Sequence, residues 1–131
     1  VANGTVLTNN GEEWVSERIA GAQGAGTNAV QANAGTHIGA GTGTTTPAKA
    51  DTALVTEVDT RVATTVTTVG TGAANKYQAT GTFVPSTTRA ITEVGLFSAS
   101  TSGIMFIRCV HDAINVVSGD TIAYTITIDP S

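Results

Sequence analysis

The chain has 131 residues, a formal net charge of −4, and charged residues at only 12% of the total, about half the usual share. One domain of this length buries enough surface to fold without staples, and the single Cys109 excludes an intramolecular disulfide. The six Lys and Arg are scattered, which leaves no basic footprint for nucleic acid. No apolar run approaches the ~18 residues of a membrane span, and no basic-then-apolar leader follows Val1, so a soluble chain is expected.

Threonine supplies roughly one residue in five, far above ordinary usage, with alanine, glycine and valine making up much of the rest. Such a composition favours strands joined by tight turns, and it coats the surface with hydroxyls rather than charges. In chain order, VANGTVLTNN reads as one short strand ending in an Asn-Asn turn. NGEEWVSERIAG reads as a brief helix, capped by Asn10, with Glu12 and Glu13 near its positive end and Gly21 closing it. Trp14, Val15 and Ile19 form its apolar side.

Residues 21–46 are rich in Gly, Ala, Thr and Asn. Alternation in NAVQA and THIGAG allows two weak strands, and a long extended arm fits equally well. Gly39, Gly41 and Gly43 stand at alternate positions before Thr44–Pro47. A phosphate-binding loop requires GxxxxGK[ST] before a helix, or GxGxxG inside a βαβ unit, and neither spacing is present. Glycine on every second residue instead strips one face of an extended segment, so that another backbone can approach closely. Asp51 then caps an expected short helix carrying Leu54, Val55 and Val58.

From Arg61 onward period-two alternation dominates. RVATTVTTV places Val62, Thr64, Val66 and Thr68 on one face, and KYQATGTFV places Tyr77, Ala79, Gly81 and Phe83 together before Pro85. RAITEVGLF, GIMFIRCV and TIAYTITI follow, separated by the turn-forming SASTSG and VVSGD. Ile122, Tyr124, Ile126 and Ile128 make an inward row in the last strand. The predicted fold is mainly β: an antiparallel sandwich or jelly-roll-like single domain with a short N-terminal helix and a Gly/Ala-rich arm. Residues 1–46 carry the first strand, helix and arm, and 47–131 the body, as one globular unit.

Few residues suggest chemistry. Cys109 and His111 share a strand face, but about 6–7 Å separates alternate residues along a strand, which is too far for a direct thiol–base pair; the thiol reads as a core filler. His37, His111, Asp51, Glu57 and Asp59 follow no metal-ligand spacing. Glu57 and Glu93 with Arg61 and Arg89 read as ordinary ion pairs or rim contacts. No catalytic residue, metal or cofactor is expected.

GTGTTTPAKADTALVTEVDTRVA, YQATGTFVPSTTRAITEVGLFSA and INVVSGDTIAYTITI together carry a resemblance over residues 36–128. The chain resembles small structural proteins of tailed bacteriophages, variously head decoration, cement or fibre components. The resemblance implies a non-enzymatic virion protein on the capsid exterior, assembled in the host cytoplasm. Its implied partners are the major capsid protein and copies of itself, as a homotrimer. Trp14, Val15 and Ile19, with Gly39, Gly41, Gly43 and Pro47, are the candidate contact residues. The competing expectations are a tail-fibre or host-surface module that binds a glycan and, further off, a small hydrolase or lyase using His111.

Overall fold

The computed structural model describes residues 5–20, 36–71 and 76–128. Its elements run β1 (Thr5–Leu7), α1 (Asn9–Ala20), β2 (His37–Gly41), β3 (Glu57–Ala63), β4 (Thr65–Val69), β5 (Lys76–Phe83), β6 (Arg89–Phe97), β7 (Met105–Val116) and β8 (Ile122–Ile128). All described strand pairs are antiparallel. They form a five-stranded sheet in the order β1-β7-β6-β2-β3 and a three-stranded sheet in the order β4-β5-β8. The expected mainly-β, two-sheet architecture is present.

The sheets meet through the faces that the alternation marks. Ile38, Val94, Leu96 and Ile107 from the large sheet pack around Ala79 of β5, with Tyr77, Tyr124, Ile126 and Ile128 at the margin. At the other end Phe83 and Ile122 close against Ala40, Ile91 and Val116. β8 alternates between buried or half-buried isoleucine and tyrosine and exposed alanine and threonine, as expected of a strand with one dry face. The run RVATTVTTV is not one strand but two. It leaves the large sheet after Ala63 and enters the small one at Thr65, while the Thr64 amide bonds the Thr36 carbonyl.

Within 21–46, residues 37–41 are strand. THIGAG supplies β2, which lies inside the large sheet between β6 and β3, so this stretch is not part of an arm. NAVQA, the Gly21 stop and the rest of the expected arm lie outside the described residues.

Two local expectations are corrected. The helix is capped by Thr8 and not by Asn10. The Thr8 hydroxyl accepts from the Gly11 amide at 3.1 Å, and the Glu12 amide bonds the Thr8 carbonyl. Asn10 already sits inside the first turn. Thr8 also reaches across to β7, donating towards the Met105 and Phe106 carbonyls at 2.7 and 3.0 Å. Gly11 lets the helix come this close, because a Cβ there would stand 2.2 Å from the Phe106 carbonyl oxygen. The second correction is that Asp51–Val58 holds no helix. Residues 42–56 run as irregular chain before β3 begins at Glu57. Asp51 spends its carboxylate on the Ala48 amide and on Arg108.

Asp59 interrupts β3 with a φ of 60°, a left-handed conformation that Asp tolerates better than most residues. Its carboxylate takes a hydrogen bond from Ser86 and an ion pair from Arg89 at 3.0 Å. Burial alone raises the carboxyl pKa, but the Ser86 and Arg89 hydrogen bonds and the Arg89 charge outweigh it and hold the value below the ordinary range.

Two outcomes follow. Thr8→Ala removes the cap and the contacts to β7, and is expected to cost about 1–2 kcal/mol in urea unfolding. Asp59 contributes stability that is fully present above the unfolded-state carboxyl pKa of ~3.9 and is lost as pH falls through its lower folded value. The stability difference between the wild type and Asp59→Asn should therefore be largest above about pH 5 and shrink on acidification; a constant difference down to acid pH contradicts this.

Candidate functional site

The outer face of the large sheet is covered by the chain's own residues 42–56. β-Alternation puts Glu93, Gly95 and Phe97 of β6 on this face, opposite Gly41, Gly39 and His37 of β2. Glu93 has no exposed surface and Arg108 only 1%. Arg108 Nε and Nη2 both donate to Glu93 Oε2, at 3.1 and 3.0 Å, and Nη1 reaches Asp51 Oδ2 at 3.1 Å. The carboxylate also accepts from the amides of Gly43, Val55 and Thr56 at 3.2, 3.1 and 2.8 Å. The Thr92 hydroxyl binds the Gly43 carbonyl at 2.7 Å. A buried charge is tolerable only when its capacity is met in this way, and every one of these contacts except the Glu93–Arg108 pair itself fastens the 42–56 segment to the sheet.

The alternate glycines make room for that fastening. A Cβ on Gly41 would stand 2.3 Å from the Thr56 carbonyl oxygen and 2.6 Å from Glu93 Oε1. On Gly39 it would meet Glu57, Arg61 and the Phe97 ring. The Arg61 guanidinium lies 3.5 Å above the centre of that ring. It pairs with Glu57 through two hydrogen bonds and donates to the Ala99 and Ser102 carbonyls. Leu54, Phe97 and Met105 form a small apolar cluster beside it.

The expected grouping of charges is therefore only partly met. Arg61 does pair with Glu57 and Arg89 takes Asp59, but Glu93 is interior and its partner is Arg108. A glutamate in the apolar run ITEVGLF, and an arginine in FIRCV, are the sequence signal for such a pair. Each is a lone charge where alternation calls for a dry wall.

The second polar cluster lines a cavity of about 380 Å³ between the sheets, on the side where β1 and β8 are edge strands. Cys109 and His111 border the same cavity, as their shared strand face predicts. Neither pairs with the other by hydrogen bond among the described contacts. Thr5 Oγ1 donates to Cys109 Sγ at 3.0 Å. His111 Nδ1 lies 2.8 Å from the Asp112 carbonyl and Nε2 lies 3.0 Å from the Tyr124 hydroxyl. Because a carbonyl only accepts, Nδ1 carries the proton of the neutral ring, and Tyr124 donates to Nε2. Burial, with a contribution from the Cys109 charge, pushes the Tyr124 hydroxyl above the ordinary phenol range. Tyr124 is the residue that sequence reasoning missed; it read as one more inward side chain.

The other candidate residues are dispersed. Gly39, Gly41, Gly43 and Pro47 are buried or nearly so against the chain itself, and Val15 is half-buried beside the core. The side chains of Trp14 and Ile19 lie outside the described residues. Among the described residues no three His, Cys, Asp or Glu gather as a metal-binding group.

Outside the core, the small sheet turns a hydroxyl face away from the large one. Thr65, Thr80 and Thr125 stand in one cross-strand row, and Gln78 lies between Thr67 and Thr127 in the next. A shallow depression of about 320 Å³ runs along this face beside Thr82 and Ala123. Comparison with protein-family models, curated proteins and solved structures gives no match for this chain.

Removing either member of the interior ion pair strands its partner. Glu93→Ala and Arg108→Ala are each expected to cost about 3–5 kcal/mol. The double variant should cost clearly less than their sum in a double-mutant cycle, and hydrogen exchange at the Val55 and Thr56 amides should accelerate in all three.

Proposed function

We propose that this chain is a non-enzymatic structural protein of a tailed-phage virion, a head decoration or cement protein seated as a homotrimer on the shell exterior. The observation that carries the reading is the hydroxyl face of β4-β5-β8. It is built from threonines in register, and Lys76 at its margin is the only charged residue on the strands that form it. Such a face can lie flat against protein without desolvating charge, the costly step in burying polar surface. The interior ion pair adds support, since it ties the longest described irregular segment to the sheet, and a particle's exterior favours a body with few loose loops. The resemblance over residues 36–128 supplies the phage context.

A glycan-binding fibre module would use exposed aromatic platforms. Phe83, Phe97 and Phe106 are buried, and Tyr77 and Tyr124 face the inter-sheet core, so no described ring is offered to a sugar.

Quantitative mass spectrometry of purified particles tests the proposal. The expected result is a fixed ratio of this chain to the major capsid subunit, together with earlier thermal rupture of particles that lack it. A handful of copies per particle would move the chain to the tail. Absence from the particle would overturn the reading.

A further inference from the structure

We infer that the cavity between β7 and β8 is a binding site for a small neutral molecule with an apolar body and one hydroxyl or N–H donor. This inference stands apart from the virion reading and does not depend on it.

Size and lining come first. At about 380 Å³ the cavity falls at the low end of the range used by small-molecule sites. Val94, Ile107 and Ile126 form its apolar wall. The polar wall is made by the side chains of Thr5, Cys109, His111 and Tyr124, which converge from three different strands. Thr125 and Thr127 also border the cavity, but alternation along β8 turns their hydroxyls to the exposed face of the small sheet. A mainly apolar pocket with a few convergent polar groups is the usual form of a ligand site.

The hydrogen-bond inventory then fixes the kind of head group. The Thr5 hydroxyl proton is given to Cys109 Sγ. The Tyr124 hydroxyl proton is given to His111 Nε2, and the Nδ1 proton to the Asp112 carbonyl. The side-chain donors of Thr5, His111 and Tyr124 are therefore all engaged within the chain. The oxygens of Thr5 and Tyr124 each retain acceptor capacity. A ligand must bring its own proton to meet them. An anion finds no charged partner, since among the described residues no Lys, Arg, Asp or Glu lines the cavity, and a carboxylate there would lose its hydration uncompensated. The Cys109 thiol is itself directed to the Val110 carbonyl at 3.8 Å, so a molecule that only accepts hydrogen bonds finds no free side-chain donor on this wall among the described residues.

Three compounds of one size separate these cases: benzyl alcohol, its isomer anisole, which can only accept, and benzoate. Binding is followed by methyl NMR of the whole protein at pH 8, where an imidazole is ordinarily neutral. The expected result is that benzyl alcohol shifts the methyl signals of Val94, Ile107 and Ile126. It should bind more tightly than anisole and at least about tenfold more tightly than benzoate, the margin of one lost hydrogen bond at a charged group. Tyr124→Phe should erase the preference for the alcohol over anisole. Failure of all three compounds to move those methyl groups overturns the site. Equal binding of anisole or benzoate by the wild-type protein overturns the donor rule, whatever the variant does.

Discussion

Glu93 and Arg108 are fully interior, on neighbouring strands, and the rest of the large sheet's outer surface is arranged around them. One carboxylate meets a guanidinium and three backbone amides, and the guanidinium goes on to Asp51. Because an unmet charge in this position is intolerable, the amides of residues 43, 55 and 56 are held at fixed points. That determines where an irregular segment without helix or strand must run. The bare faces of Gly39 and Gly41 follow from the same demand, since side chains there would collide with the segment or with the carboxylate itself.

The two faces of the molecule are therefore of different kinds. The large sheet is covered on its outer side by residues 42–56, tied down by charge. The outer face of the small sheet is bare among the described residues and carries threonine at its outer positions, with Lys76 at its margin. Charge in this chain goes mainly to internal fastening: Arg61, Arg89 and Arg108 all make ion pairs. The low charge content read from composition is thus matched by a surface that presents hydroxyls.

Much of the fold was legible because period two is a strong signal where β-branched residues and small polar ones alternate. β5, β6 and β8 fall where their inward rows predict, and the turns at 98–104 and 117–120 carry the positive φ of Gly103 and Gly119 that their sequences suggest. β2 was ambiguous for a physical reason: glycine has no side chain to register on either face, so a central strand and a loose arm look alike. Leu54, Val55 and Val58 imitate a helical stripe, but Asp51 is drawn to Arg108, a partner 57 positions away that no local pattern reveals. The cavity was half legible. Cys109 and His111 announce a shared face, whereas Tyr124 joins them only through the packing of the two sheets that brings β8 over β7. The interior charge pair was written in two lone charges inside apolar runs, and it is recognised only when both are read together.

Thr64 is the single residue between a strand of one layer and a strand of the other. At that point the two sheets are joined covalently, not merely by side-chain packing. A sideways pull on β4 is passed along the backbone directly into β3, so the layers resist sliding past one another even where their contact is thin. Such a load path keeps strain out of the core.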